Sequence, residues 1–321
     1  MRKSRNKLSP LTLFFAAAML TVTSQAQAQS PQVFVSAEGS DSGSCTTGLP
    51  CRTVSYALTQ VQTGGKILIV ASGDYDNSIT IDKSVTVAAA PGVVAVFSNA
   101  QTNGSIVYFA PGPAFCRSTE CFTVVFRNLV FDGQSVTQDA MRGAFMRLIV
   151  EDCTFSRFKS GFYANGDGTY QFTNCVFQLC DTGLFLASNN ADSPRTLLVI
   201  VDSCHFESLT AVGVDVYPGL NITAKVSVRN TLINRAATIG IRGTGAAGGT
   251  AQINVDGTHI TNCTTGIYTF SAGTLVRVSN STIVANSRGL LPQSGQLLSR
   301  SNNTVEDNGF NGSFTGTFLA K

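Results

Sequence analysis

The sequence contains no tryptophan and only two histidines among its 321 residues. Two histidines exclude His-rich metal sites and leave few groups for histidine-based acid–base chemistry. Charged residues make up 13% of the chain and hydrophobic residues 43%, which excludes an intrinsically disordered protein. Lys and Arg number 22 against 19 Asp and Glu, so the charge balance predicts no nucleic-acid partner.

A hydrophobic run long enough to span a membrane is also missing. The apolar segment 11–20 has ten residues, follows a basic segment at 2–7 and precedes an Ala-Gln-Ala cleavage pattern at 26–28. This order is typical of a signal peptide, with a buried N-terminal helix as the alternative. We therefore predict a signal peptide at 1–28 and an exported product, periplasmic or secreted, with no transmembrane segment.

Export to an oxidising compartment favours disulfides among the nine cysteines. Cys45 and Cys51 enclose five residues, and Cys116 and Cys121 enclose four, so each pair can close a short polar loop. We predict a disulfide in both loops. No second Cys or His pair stands at the spacing of a zinc site, so no metal site is predicted.

From about residue 122 onward a short apolar pattern recurs. We take the last inward apolar residue of each repeat as its reference position. Further inward apolar residues stand five and seven residues before the reference, with more polar residues between them. This alternation predicts half-buried strands. In the final repeat it assigns Leu298 and Arg300 to the inward positions, where Arg300 breaks the pattern. The reference residues are Phe131, Phe155, Phe177, Phe206, Ile233, Ile260, Ile283 and Val305.

Turn-forming residues punctuate every repeat. Asn, Asp and Gly tolerate the left-handed conformation, so we predict a sharp corner three residues before the reference and a glycine turn six or seven after it. A unit of three short strands cannot bury its own apolar side, so successive units must stack into a parallel coil. The corner residues are Asn128, Asp152, Asn174, Ser203, Asn230, Gly257, Asn280 and Asn302. The turn glycines are Gly161, Gly183, Gly213, Gly240, Gly266 and Gly289.

This repeat resembles the right-handed parallel β-helix proteins of the pectate-lyase-like group. The resemblance extends to the N-terminal segments VFVS (33–36), GSD (39–41), PCRTV (50–54), GGKILIV (64–70), GDY (73–75) and ITI (79–81). It implies an all-β fold, a single-stranded right-handed parallel β-helix. The group includes lyases, hydrolases and adhesins, so the resemblance indicates the fold and leaves the activity open.

A short amphipathic helix near 53–62, with Thr53 as N-cap, is expected to close the N-terminal end of the coil, because open strand edges would otherwise be exposed. We expect the C-terminal residues to cover the other end. The predicted division of the chain is a signal peptide at 1–28, an N-terminal cap at 29–64, the β-helix at 65–309 and a C-terminal cap at 310–321.

Five cysteines fall on inward positions of the repeat. We interpret them as small buried residues, with an axial disulfide between stacked thiols as the alternative. They are Cys153, Cys175, Cys180, Cys204 and Cys263. His205 and His259 stand outward, two coils apart with Leu232 between them and no acid at the equivalent position. We interpret them as solvent-facing, with a surface metal or pH-sensing pair as the alternative.

The residues two positions after the turn glycines form an outward-facing column. Few of them are candidates for a catalytic role. Lyases of the resembled group use calcium with several acidic residues on one column, and hydrolases need clustered carboxylates. The column carries only one carboxylate, Asp215, next to Arg242 in the following coil, which predicts a cross-coil ion pair. No cofactor is predicted. Segment 165–168 (Asn-Gly-Asp-Gly) keeps calcium as an alternative to a simple turn.

The same column predicts a ligand-binding face, because aromatic rings in a ladder offer flat faces to sugars while polar groups bond hydroxyls. Alternatively, loops 187–195 or 243–250 fold over the rings and form a small satellite core. The predicted face consists of Tyr163, Phe185, Asp215, Arg242 and Tyr268, with Asn165, Tyr217 and Phe270 two positions further along the strands.

The sequence therefore favours an exported, non-catalytic β-helix protein that binds glycans or surfaces through an outward face. The alternatives are a polysaccharide lyase or hydrolase with a degenerate or unrecognised site, and a component of a larger envelope assembly or adhesin. The expected partner is a polysaccharide or cell-surface glycan, and the protein is expected to be a monomer.

Overall fold

The structure, a computed structural model, describes residues 29–75, 78–98, 104–109, 122–134, 138–144, 146–188, 191–245 and 248–319. The predicted signal peptide at 1–28 and the predicted disulfide Cys116–Cys121 lie outside the described residues. Within them the chain consists of short parallel strands and one short helix, which confirms the predicted parallel β-helix. No helix of the described part is long and apolar enough to cross a membrane.

Three parallel sheets form the sides of the coil, and the chain visits them in turn. The twelve-stranded sheet contains Ser30–Val35, Val61–Ile69, Val85–Ala89, Thr123–Arg127, Arg147–Glu151, Gly168–Thr173, Arg195–Asp202, Ile222–Arg229, Thr250–Asp256, Thr274–Ser279, Gln296–Ser299 and Gly316–Thr317. The ten-stranded sheet contains Gly73–Asp74, Ala95–Ser98, Leu129–Asp132, Thr154–Ser156, Val176–Gln178, His205–Leu209, Leu232–Ala236, His259–Thr261, Thr282–Val284 and Thr304–Glu306. The nine-stranded sheet contains Ile79–Ile81, Val107–Phe109, Asp139–Gly143, Ser160–Ala164, Thr182–Ser188, Val212–Pro218, Ile239–Gly243, Thr265–Thr269 and Arg288–Pro292.

The N-terminal segment contains the predicted helix, Val54–Gln60. The Thr53 side chain accepts the Tyr56 N–H, and the apolar face of the helix is buried. Strand Ser30–Val35 pairs with Val61–Ile69 and so begins the twelve-stranded sheet. The predicted disulfide Cys45–Cys51 is present, with 4.8 Å between its Cα atoms.

The reference residues form one continuous stack inside the coil. Phe155, Phe177 and Phe206 pair in register. Their ring centroids are 4.8 Å apart at each step, and the planes lie within 10° of parallel. Because the centroid spacing equals the distance between neighbouring strands, each ring is held by the ladder of main-chain hydrogen bonds. The prediction that these rings stack on one face is confirmed.

The predicted glycine turn is wrong, although the glycines are required at those positions. Gly161, Gly183 and Gly213 lie within strands of the nine-stranded sheet and do not adopt positive φ. Their role is packing: a Cβ on Gly183 would collide with the Phe206 ring and lie 2.7 Å from the Gly213 carbonyl oxygen. Glycine at this position therefore lets the ring of the next coil's reference residue pack directly against the main chain of the nine-stranded sheet.

Each coil turns at two left-handed residues, and the sequence predicted only the first. The predicted corner residues from Asn128 to Asn280 have φ between 48° and 57°. A second left-handed residue, with φ of 53° to 61°, follows seven of the eight reference residues by two positions, whereas Phe131 is followed by left-handed Gln134 three positions later. The sequence did not predict this column because most of its members are not Gly, Asn or Asp, the residue types that favour the left-handed conformation. For the other residue types this conformation costs about 1–2 kcal/mol per residue. The members of the column are Arg157, Leu179, Ser208, Arg235, Asn262, Ala285 and Asp307.

At ten corners the side chain of the residue after the left-handed residue donates a hydrogen bond to the carbonyl oxygen two residues before the donor. Cys175 Sγ donates to Thr173 O at 3.4 Å, and Thr231 Oγ1 donates to Arg229 O at 2.8 Å. The same bond is made by Cys153, Cys204, Thr258 and Ser281, and after the second corner by Cys180, Cys263, Asn286 and Asn308. All five inward cysteines are buried free thiols, and burial raises the pKa of Cys153 to about 12. They are therefore corner donors, interchangeable along the column with Thr, Ser and Asn.

The last coil departs from the predicted register by one residue. Ser299 pairs with Val278 while Val305 pairs with Ile283, so the corner between them holds an extra residue. Its left-handed residue is Ser301, and the predicted Asn302 follows it. The inward side chains of this coil are therefore Leu297 and Ser299, and the assignment of Leu298 and Arg300 to those positions is wrong.

We expect Gly183→Ala to lower the free energy of unfolding by about 1–3 kcal/mol, because the added methyl group overpacks the aromatic stack. Gly48→Ala is the matched control, because a Cβ there meets nothing within 4 Å. The measurement is the urea midpoint of each variant against the parent chain. Equal midpoints for the two variants would contradict the packing role of Gly183.

Candidate functional site

The outer column of the nine-stranded sheet has the register that the repeat predicts. Tyr163 pairs with Phe185, which pairs with Asp215. Asp215 pairs with Arg242, which pairs with Tyr268. Five of the predicted ligand-binding residues therefore lie on one face in five successive coils.

The first two aromatic rings of the column stack on each other. Tyr163 and Phe185 are half-buried, with centroids 5.1 Å apart and planes at 20°. Arg142, from the preceding coil, places its Cζ 4.7 Å from the centroid of Tyr163. Tyr163 therefore contacts a neighbouring side chain from the coil on either side, and its role in ligand binding remains a prediction. Phe185 likewise has one face against Tyr163.

A buried ion pair occupies the middle of the column. The Asp215 side chain is only 3% exposed and that of Arg242 is 36% exposed. Arg242 Nε donates to Oδ1 of Asp215 at 2.8 Å, and Nη2 donates to Oδ2, so the contact is bidentate. This hydrogen bonding with Asp215 raises the pKa of Arg242. The predicted cross-coil pair is present, and its burial makes Asp215 an anchor that orients the guanidinium.

Two exposed rings stand two positions further along the strands. Tyr217 is 44% exposed and Phe270 is 48% exposed. Register places both on one column, with the half-buried Thr244 in the coil between them. Tyr268 packs against Phe270 at a centroid distance of 5.9 Å and donates its hydroxyl to Gln293. The rings of Tyr217 and Phe270 thus flank the coil that carries Arg242.

The long loops after this sheet bond to one another. The N–H of Ala191 donates to Leu220 O at 3.0 Å, and the N–H of Gly245 donates to Ser271 Oγ at 2.7 Å. In their described parts, loops 187–195 and 243–250 therefore rest on the loops of neighbouring coils. Tyr217 and Phe270 remain exposed beside them, so a covered satellite core does not form at these two rings.

Asn165 is half-buried at the start of the segment for which calcium was an alternative. Within that segment, Asp167 Oδ1 lies 3.2 Å from Arg195 Nη1, so an arginine already neutralises the carboxylate. Among the residues that the structure describes, no group of three or more His, Cys, Asp and Glu side chains is arranged to hold a metal ion. The absence of a cofactor, with calcium at this segment as the alternative, remains a prediction.

Asp139 is a titratable residue that the sequence analysis missed. It begins a strand of the nine-stranded sheet and pairs with Ser160. Burial raises the pKa of its carboxyl group, against the opposing hydrogen bond with Ser160 and the charges of Lys159 and Arg142. Its coil has Ala140 where the next coil has Gly161, so the glycine pattern that marked this sheet in the sequence did not extend to Asp139.

The two histidines lie on the ten-stranded sheet, away from this face, with Leu232 between them as predicted. As expected, no acid stands between them on their column, but an acid two residues along the strand contacts one of them: His205 Nε2 lies 3.2 Å from Glu207 Oε2. Glu207 also accepts hydrogen bonds from Ser208, Asn234 and Arg235. Burial opposes ionisation, but these hydrogen bonds and the Arg235 charge outweigh it and lower the pKa of Glu207 to about 2.

Arg242→Met removes the partner of a buried carboxylate, so we expect it to lower the free energy of unfolding by about 3 kcal/mol. Replacing both partners, in Asp215→Leu with Arg242→Met, should recover most of that loss because no unpaired charge remains buried. Urea denaturation of the two variants measures both effects. A double variant as unstable as the single one would contradict the anchor role of Asp215.

Glu207 should contribute to stability at neutral pH and lose that contribution on acidification. Its pKa is depressed in the folded chain, so the contribution is complete above the ordinary value of 4.5 and disappears as the pH falls towards about 2. Glu207→Gln should flatten the fall of the melting temperature over this range. Glu306→Gln, at an exposed acid, is the control and should follow the parent chain. Parallel pH profiles for parent and Glu207→Gln would refute this assignment.

Comparison with known proteins agrees with the geometry of the coil. Residues 160–319 match the family model described as right handed beta helix region. A rhamnogalacturonan lyase structure aligns with a TM-score of 0.62 and 16% identity, over 84% of this chain and 76% of its own. A structure of XylC in complex with xylose aligns with a TM-score of 0.51 and 10% identity, over 90% and 72%. None of the curated proteins compared with the sequence matches it. The chain therefore folds as a right-handed parallel β-helix.

Proposed function

We propose that this protein is exported and binds a polysaccharide through the outer face of its nine-stranded sheet, without catalysing a reaction. One observation carries the proposal: the exposed rings of Tyr217 and Phe270 stand on either side of a guanidinium that Asp215 holds in place. Such rings offer apolar faces to sugar rings, and Arg242 offers hydrogen-bond donors to hydroxyl groups.

The exposure of two neighbouring aromatic residues supports a binding role. Large apolar side chains grouped on one surface are unusual in a soluble protein and commonly mark an interaction site. The fold is shared with a rhamnogalacturonan lyase, which acts on a polysaccharide. Polysaccharides are therefore the ligand class that we expect first for this face.

The hydrogen bonds and the burial of Asp215 support a binding function without catalysis. General acid–base catalysis requires a carboxyl group that reaches the substrate and exchanges a proton with it. Both oxygens of Asp215 accept hydrogen bonds from Arg242, and the side chain is almost fully buried. Its neighbours in the column are Phe185 and Arg242, so the adjacent coils supply no second carboxylate for a hydrolase pair.

A polysaccharide lyase or hydrolase is the second candidate, and Asp139 is the observation that favours it. Its raised pKa and the nearby cations Lys159 and Arg142 are features found at catalytic carboxyl groups. Arg142 also reaches the aromatic column through Tyr163. An enzyme of this kind would act at the N-terminal end of the same face.

We expect Tyr217→Ala and Phe270→Ala each to weaken retention on polysaccharide gels about fivefold, because each ring contributes roughly 1 kcal/mol of stacking. The measurement is affinity electrophoresis through gels that contain acidic or neutral polysaccharides, with and without calcium. Leu198→Ala is the control, because this residue is equally exposed on the twelve-stranded sheet. All three variants should keep the parent melting temperature.

The same incubations separate the two candidate functions. Unsaturated products or new reducing ends would identify an enzyme, and their loss in Asp139→Asn would assign the chemistry to that residue. Retention without products, sensitive to Tyr217→Ala, supports the binding function. If the gels retain the Tyr217→Ala and Phe270→Ala variants as strongly as the parent chain, this face is not the polysaccharide-binding site.

A further inference from the structure

We infer that the polysaccharide is an unbranched, β-1,4-linked chain in a twofold extended conformation, lying along the axis of the coil. The inference rests on the proposed function and adds the direction of the ligand and its class. It depends on the spacing of the two exposed rings and on what lies between them.

The two rings are separated by two coils on one column. Tyr217 directly follows Val216, which pairs with Gly243, and Gly243 pairs with Thr269, which directly precedes Phe270. Neighbouring strands lie about 4.8 Å apart, so the two side chains are about 9.6 Å apart along the axis. The N–H of Phe270 donates to Gly243 O at 2.9 Å, so the ladder of main-chain hydrogen bonds holds this spacing.

The coil between the rings presents a different surface. Its outward residues are Thr244, which is small, and Arg242, whose guanidinium is held by Asp215. A chain lying along the axis therefore meets the ring of Tyr217, then Thr244 with Arg242 on the adjacent column beside it, then the ring of Phe270.

A twofold extended β-1,4 chain has the matching repeat. Each sugar advances such a chain by slightly more than one strand spacing of about 4.8 Å, and alternate sugars present the same face. The apolar faces of the first and third sugars can then stack on Tyr217 and Phe270. The second sugar, which is turned over, directs its hydroxyl groups towards Arg242.

Other arrangements do not use both rings. A chain that crosses the face along one strand meets Tyr268 and Phe270 but cannot reach Tyr217. A coiled chain, such as an α-1,4 or β-1,3 glucan, turns successive sugars away from a straight row of contacts. Both rings are engaged only by a straight chain of three or more sugars.

The test compares hexasaccharides by calorimetry. Cellohexaose, chitohexaose and mannohexaose represent twofold β-1,4 chains, and maltohexaose and laminarihexaose represent coiled chains. At least one β-1,4 hexasaccharide should bind, and both coiled ones should bind at least tenfold more weakly. Within the series that binds, affinity should rise at least fivefold from the disaccharide to the trisaccharide.

A spacing variant isolates the geometry. The double variant Thr244→Phe with Phe270→Ala keeps two rings on the face but places them one coil apart. It should therefore lose the rise in affinity from the disaccharide to the trisaccharide. Phe270→Ala should lose it too, whereas Leu198→Ala should keep it. Circular dichroism checks that the variants retain the parent fold.

The outcomes distinguish this inference from the proposed function. Stronger binding of a coiled hexasaccharide, or a rise in affinity that survives in the spacing variant, overturns the twofold axial chain. If the hexasaccharides fail but a polysaccharide gel retains the protein through Tyr217, the inference falls and the proposed function stands. If no polysaccharide retains the protein, both fall.

Discussion

In-register stacking of the coils is the constraint on which the rest of this structure depends. Parallel pairing places each residue directly above its equivalent in the preceding coil, at the spacing of neighbouring strands. Every position therefore becomes a column, and a side chain must be compatible with the same position one coil above and below. The stacked phenylalanines, the corner donors and the outer aromatic column are three consequences of this one condition.

Inside the coil, this condition restricts which residue types can occupy a position. The aromatic stack needs a residue without a Cβ in the strand beside it, and Gly183 meets that need against Phe206. At the corners the carbonyl oxygens of Thr173 and Arg229 accept a main-chain N–H from the preceding coil, and the side chain that follows the corner adds a second hydrogen bond to each. At the first corner a thiol makes this bond up to Cys204 and a hydroxyl makes it from Thr231 onward. At the second corner a thiol makes it up to Cys263 and Asn makes it afterwards. The cysteines of the interior therefore belong to the backbone hydrogen-bonding scheme.

The same stacking divides the outer face into groups that support each other and groups left for a partner. Where aromatic residues are adjacent on one column, as Tyr163 and Phe185 are, each ring covers one face of the other. Tyr217 and Phe270 stand two coils apart, so neither ring stacks on the other and both stay about half exposed. Surface chemistry on a β-helix thus depends on the spacing between coils as much as on residue type.

The sequence by itself determined the coil, its period, the first corner, the Cys45–Cys51 disulfide and the members of the outer column, because each leaves a residue-specific pattern at a regular distance. The second corner left no such pattern, since Arg157, Leu179 and Ala285 are forced into the left-handed conformation by the strands around them. The extra residue before Val305 was likewise invisible until pairing with Ile283 defined the register. Only the tertiary structure decided which outer side chains are free. Exposure is a property of neighbours in space, and the sequence records neither the stacking of Tyr163 and Phe185 nor the burial of Asp215 beneath Arg242.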